Sequence, residues 1–202
     1  IHFKRQDPPP KGKYLTAFQD CLVISGQRDN VNNFAFSLPL SAETGEIGSE
    51  YFPNDSNQEI IESKFGDKIT ALAPLKDVLY IFHKNSIHTI SGSITDISGI
   101  SYQIDLLTSE GGIGCEAQAT LQELSGNLFF LSKNGIYSIN NSSAFPKEVS
   151  LAIQPEFKEL ATTFNRQKAI AFNWVKENSL IFLLPVETLD DGASTAYKYL
   201  TT

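Results

Sequence analysis

The chain has 202 residues, of which 41% are hydrophobic and 19% charged. That is the composition of a folded globular domain with a sizeable core, and it excludes a disordered segment. A formal net charge of −7 and a pI near 5.0 argue against a broad nucleic-acid-binding surface, though not against a local basic patch.

The chain opens at Ile1 and contains no Met, so it is expected to be an excised or processed piece of a longer product. No signal-peptide pattern and no apolar run of membrane-spanning length occurs, and no membrane partner is expected. Ile1–Lys4 has the pattern of a short strand and contains His2. Lys4, Arg5, Lys11 and Lys13 then surround Pro8-Pro9-Pro10, a stiff basic entry segment. Its plain role is a solvated linker; its sharper role is contact with an acidic partner or DNA.

Strands are predicted at Tyr14–Gln19, Leu22–Ser25, Asn33–Ser37 and Gln58–Ser63, interrupted by a long polar loop at Leu38–Asn57. A second group covers Ile69–Ala73, 78–82, 87–90 and Tyr102–Leu107. A third covers Ala119–Gln122, 128–131, 136–139 and, more weakly, Lys147–Leu151. Gln154–Phe164 reads as a short helix centred near 155–162, with Pro155 in its first turn and Phe157, Leu160 and Ala161 on one face. The last group, Lys168–Asn173, Leu180–Leu184 and Ala196–Leu200, supplies three strands.

These groups repeat. Lys84-Asn85-Ser86-Ile87-His88-Thr89-Ile90 lies over Lys133-Asn134-Gly135-Ile136-Tyr137-Ser138-Ile139 at an offset of 49 residues without a gap. Leu22, Leu79, Leu128 and Leu180 hold equivalent places, at steps of 57, 49 and 52 residues. Asn134-Gly135 is the stronger turn signal, because both residues tolerate positive φ. Short strands recurring at about 50 residues predict an all-β, propeller-like fold of about four antiparallel blades, each covering the next. The units are expected at about 14–63, 68–107, 117–151 and 168–200, in a single domain. The fourth unit lacks a strand. Either Ile1–Lys4 completes it and closes a small ring, or the four units belong to a larger ring.

Residues that could carry chemistry are few. His83 and His88 lie five apart across a turn and are expected as separate surface or rim side chains, without a third metal ligand. Asp190-Asp191-Gly192 lacks the further carboxylates of a calcium loop and reads as a hairpin tip. Gly111-Gly112-Ile113-Gly114 has no helix after it to aim amides at a phosphate, so its glycines serve a chain turn between blades. Cys21 and Cys115 read as buried apolar side chains, and Trp174 as core. No nucleophile elbow or paired acidic motif occurs. No catalytic, cofactor-binding or metal-binding residue is therefore assigned, and no enzyme is expected.

The stretches "PPPKGKYLTAFQDCLVISG" with "NNFAFS", "ITALAPLKDVLYIFHKNSIHTISG", "GGIGCEAQATLQELSGNLFFLSKNGIYSI" and "LAIQPEFKEL" resemble bacteriophage tail nozzle (tail tubular) proteins and packaged-DNA stabilisation or head–tail hub propellers. The resemblance covers nearly the whole chain and carries no catalytic signature. It implies a structural virion component, assembled in the host cytoplasm and resident in the tail. It further implies a homo-oligomeric ring, often a hexamer, that surrounds the DNA exit channel, docks adaptor or fibre proteins and touches genomic DNA only passively. Two other readings stand beside it. A receptor- or carbohydrate-binding propeller would need exposed aromatic platforms, for which Tyr51, Phe52, Tyr197 and Tyr199 are available. A propeller enzyme would need acid and base groups converging on the axis.

Overall fold

The computed structural model describes residues 9–39, 52, 58–94, 101–107, 112–142, 145–155, 157, 166–185 and 194–200; side chains are described up to Leu184. Its strands form four antiparallel sheets in chain order. Sheet I holds β1 (Tyr14–Phe18), β2 (Cys21–Ser25), β3 (Asn33–Phe36) and β4 (Gln58–Ile60). Sheet II holds β5 (Ile69–Leu75), β6 (Val78–His83), β7 (Ile87–Ser93) and β8 (Ser101–Leu106). Sheet III holds β9 (Gln122–Leu124), β10 (Asn127–Ser132), β11 (Gly135–Ile139) and β12 (Lys147–Glu148). Sheet IV holds β13 (Ile170–Trp174), β14 (Ser179–Pro185) and β15 (Ser194–Leu200). Within each sheet the strands are paired in sequence order.

The repeated hairpin is the same object twice. Leu79 pairs with Ile90 and Phe82 with Ile87; in sheet III Leu128 pairs with Ile139 and Leu131 with Ile136. All four residues of one set map onto the other at 49 residues, in two separate sheets.

Because side chains alternate across a strand, each sheet has a rear face toward the sheet before it and a front face toward the sheet after it. Tyr14, Phe18, Val23, Phe34 and Phe36 on the front of sheet I meet Leu72, Leu79, Ile81 and Ile90 on the rear of sheet II. Tyr80, Phe82 and Ile87 on the front of II meet Leu128, Phe130, Tyr137 and Ile139 on the rear of III. Leu124, Phe129, Leu131 and Ile136 on the front of III meet Ala171, Leu180, Phe182 and Leu184 on the rear of IV. Three apolar seams therefore hold four sheets. Among the described residues, sheets I and IV share no such seam, and the sheets are not closed into a ring.

Several expectations need correction. The predicted strand at Ala119–Gln122 is a 3-10 turn over Gln118–Thr120 followed by β9. The Thr120 hydroxyl donates to Ala117 O (2.7 Å) and accepts from Leu131 N (3.2 Å), which holds the backbone off the sheet there. The strand predicted over Lys147–Leu151 shrinks to β12, because Leu151–Ile153 turns into a 3-10 helix. Trp174 is not core. It alternates with Ala171 and Asn173 along β13, so it falls on the front face of sheet IV and is 41% exposed. Left-handed backbone occurs at the other turn of each hairpin than expected: at Gln19 and Asp20, at Lys76, and at Ser125 and Gly126, all with φ between 48° and 74°. Gly135 is instead required for space, since a Cβ there would run into the Ser150 hydroxyl.

Ile1–Lys4, the Ser41–Glu50 part of the long loop, and most of the helix expected near 155–162 lie outside the described residues. Gln154, Pro155 and Phe157 are helical, and Phe157 is buried in the seam between sheets III and IV.

Candidate functional site

The histidines converge. Opposite Ile81 stands His88, and opposite Phe82 stands Ile87, so His83 and His88 sit diagonally on one face across the β6–β7 turn. Both are buried, and their rings meet edge to face with centroids 5.1 Å apart. The expectation of two separate surface histidines is thus overturned. What the sequence could not give was the register, which decides that five residues across a tight turn is a diagonal contact.

Chain from sheet I completes the cluster. His83 Nε2 donates to Ile61 O at 3.1 Å, which leaves Nδ1 as an acceptor with no partner. Ser86 donates to the Ser63 hydroxyl (3.2 Å), which in turn donates to Asp67. The other Asp67 oxygen accepts from Asn85 N (2.6 Å) and Asn85 Nδ2 (3.1 Å). Burial pushes the His83 imidazole below its usual range against the opposing pull of Asp67. Burial and the neighbouring His83 bring His88 down to about 4, again against Asp67. Both rings are therefore neutral at pH 7. The serines, the aspartate and His83 Nε2 are engaged in holding the Ile61–Asp67 segment onto the hairpin, so the cluster reads as a polar joint between sheets. Among the described residues no group of three or more His, Cys, Asp or Glu side chains could hold a metal ion.

A second site lies where the four units converge. Lys13, Tyr14, Lys68, Thr70, Glu116–Ala119 and Gln167, at or just before the first strand of each sheet, line an opening of about 210 Å³. Its charges are mixed: Lys13 lies over the Tyr14 ring at 5.1 Å, and Glu116 Oε2 pairs with Lys84 Nζ at 3.7 Å while its buried Oε1 has no hydrogen-bond partner. Thr70 donates to Cys115 O at 2.7 Å. Sequence reasoning missed this opening, because its residues come from four units and share no motif.

Of the remaining candidates, Lys11 lines a separate opening of about 450 Å³ with Pro10, Gln27, Arg28 and Asp29, apart from Lys13. Cys21 and Cys115 are free thiols in different seams; burial raises them to about 11 and about 12. Gly112 has φ of 62°, and a Cβ on Gly114 would strike His83 O, so these two glycines are required by backbone conformation and by close approach. Phe52 is 3% exposed and cannot be an aromatic platform. Tyr197 and Tyr199 occupy register positions opposite Phe182 and Leu180. His2, Lys4, Arg5, Pro8, Tyr51, Gly111 and Asp190-Asp191-Gly192 lie outside the described residues. No helix among the described residues is long and apolar enough to cross a membrane.

No protein-family profile and no curated protein matches the chain. Two solved structures are similar to it in shape. One is the N-terminal domain of Nup159, with 11% identity over 96% of this chain and 46% of that one, at a TM-score of 0.44. The other is a putative exported protein, BF0058 from Bacteroides fragilis, with 10% identity over 99% of this chain and 74% of that one, at a TM-score of 0.28. This chain therefore spans less than half the length of the Nup159 domain.

Proposed function

We propose that the four sheets are consecutive blades of a β-propeller, and that the protein is a non-enzymatic structural component of a bacteriophage tail or head–tail connector. The observation that supports an assembly role is the repeated seam: three sheet-to-sheet interfaces of the same register account for the buried core. The buried polar groups around His83 and Ser86 serve as a joint between blades. Such a body offers rigid surface and loops to partners rather than convergent reactive groups. The virion assignment itself draws on the sequence resemblance described above.

The test is direct. Antibody raised against this segment should label purified virions at the tail in immunogold electron microscopy, and the full-length product should form rings with a central opening. Particles that carry no copy of the protein overturn the virion assignment. Lectin-like binding of glycans by the purified chain, abolished by substitution of its aromatic residues, would favour the receptor-binding alternative.

A further inference from the structure

One end of the molecule reverses the sign of the chain. The net charge is −7, yet the stretches 9–13, 26–32, 61–68 and 84–86, which enter or join strands at the same end of sheets I and II, are basic. They are contiguous. Lys11, Arg28 and Asp29 line the opening of about 450 Å³, and Lys13 shares the opening of about 210 Å³ with Lys68. Asn85 Nδ2 donates to Asp67, next to Lys68, at 3.1 Å. Lys64 stands on the turn in which Gly66 N donates to Ser63 O at 3.0 Å. Lys11, Lys13, Arg28, Lys64 and Lys68 are all exposed, and among the described residues none of them makes an ion pair. Against these five cations stand two exposed carboxylates, Asp29 and Glu62. Asp67 is tied to Ser63 and Asn85, and buried Glu116 to Lys84.

Within these stretches the exposed large apolar side chains are Phe65 (49%), between Lys64 and Lys68, and Val31 (44%). A folded acidic partner needs an apolar centre from which water is excluded, and its carboxylates are matched best by the planar fork of Arg, of which one is present. Four lysines on separate turns are point charges spaced along a surface, a form that meets successive phosphates of a strand. An exposed phenyl ring among them is a face on which an unpaired base can stack. We infer that this end binds single-stranded nucleic acid, with Lys11, Lys13, Arg28, Lys64 and Lys68 against its phosphates and a base on Phe65. The negative charge carried elsewhere opposes binding there and confines the strand to this end. The inference goes beyond the assembly role and depends on neither the blade reading nor the virion assignment.

Fluorescence anisotropy of a labelled oligothymidylate of about 15 nucleotides, titrated with the 202-residue chain, tests it. Binding should saturate at about 50 mM salt, and log K should fall against log salt with a slope of about 0.7 per phosphate contact, up to about 3.5 for five cations. Lys11→Gln with Lys68→Gln should lower that slope by about 1.4. Its circular dichroism should stay that of the parent, because both positions are exposed. Phe65→Ala should weaken binding about fivefold or more and keep the slope. Lys76→Gln with Lys176→Gln, on turns at the opposite end of the sheets, should change neither quantity. A strand that stays unbound at about 50 mM salt overturns the inference, as does a slope untouched by the first lysine pair or lowered equally by the second. A duplex bound as tightly as the single strand, or a Phe65→Ala chain that binds like the parent, overturns the single-strand assignment. Poly-glutamate that displaces the strand at equal charge concentration gives this end to an acidic polypeptide and overturns it as well.

Discussion

Sheets II and III carry one hairpin in one register, yet they fill its turn end differently. In sheet II the rear positions nearest the turn hold His83, Ser86 and His88, joined to Ile61, Ser63 and Asp67 from the unit before. In sheet III the same positions hold Ser132, Gly135 and Tyr137. There the Ser150 hydroxyl takes the space a side chain on residue 135 would need and accepts from Ile136 N at 3.0 Å, while Tyr137 stacks with Phe130 at 6.1 Å. The difference teaches that register fixes which positions meet, and that the incoming chain from the neighbouring unit decides whether they meet as polar groups or as core.

The shared part of the two hairpins should give the largest effects. Phe82 and Phe130 are fully buried and their rings lie 5.0 Å apart across the seam between the sheets. Phe130→Ala and Phe82→Ala should each cost about 3–5 kcal/mol in urea unfolding. The double variant should cost less than the sum, because the second truncation removes contacts the first already lost. A loss below about 1 kcal/mol for Phe130→Ala would place that ring on a surface and undo the seam.

Extending the comparison to the end blade sharpens it. Leu79→Ala, in a covered rear face, should cost about 2–5 kcal/mol. Leu22→Ala, at the equivalent position of the open face, should cost about 1 kcal/mol or less when measured in dilute solution. Equal losses would show that sheet I is covered as fully as sheet II.

The polar half of the comparison should respond to acid. His88 titrates at about 4 in the folded chain, below its ordinary 6.5, so the unfolded chain takes up the proton first. Stability is then level above pH 6.5, falls as pH drops toward 4 and flattens below that, by on the order of 3 kcal/mol from this group. His83 shifts in the same direction, while Asp67 opposes both. His88→Leu should flatten the difference between urea midpoints at neutral and acidic pH; an unchanged difference would assign the acid response to other groups. The smallest effect concerns reactivity alone. Cys21 and Cys115, raised to about 11 and about 12, should fail to react with a disulfide reagent at pH 8 in the native chain and both react in denaturant.

The sheets were legible because strand period and turn residues are local signals, and a 49-residue repeat without gaps carries its register with it. Leu79, Leu128 and Leu180 could be matched on that basis before any contact was known. The His83–His88 contact was not legible, because a diagonal pair depends on where the turn closes. Trp174 is not legible for a related reason: its type suggests core, whereas alternation from Ala171 puts it on the front face of sheet IV. Thr120 and Gln118 broke a strand-like stretch through side chain–backbone bonds that no periodicity records.

Gln118 has a consequence of its own. Its amide presents to β5 the donor and acceptor that a neighbouring strand would present: Oε1 accepts from Leu72 N at 2.7 Å, and Nε2 donates to Leu72 O at 2.9 Å. β5 is one of the two edge strands of sheet II, and an edge strand with free backbone groups is a template for adding foreign chain. One side chain from the next unit occupies that stretch of template. Deamidation of Gln118 would turn the donor into a carboxylate facing Leu72 O. The lost bond and the new repulsion would weaken the cover that this one side chain gives the edge at Leu72.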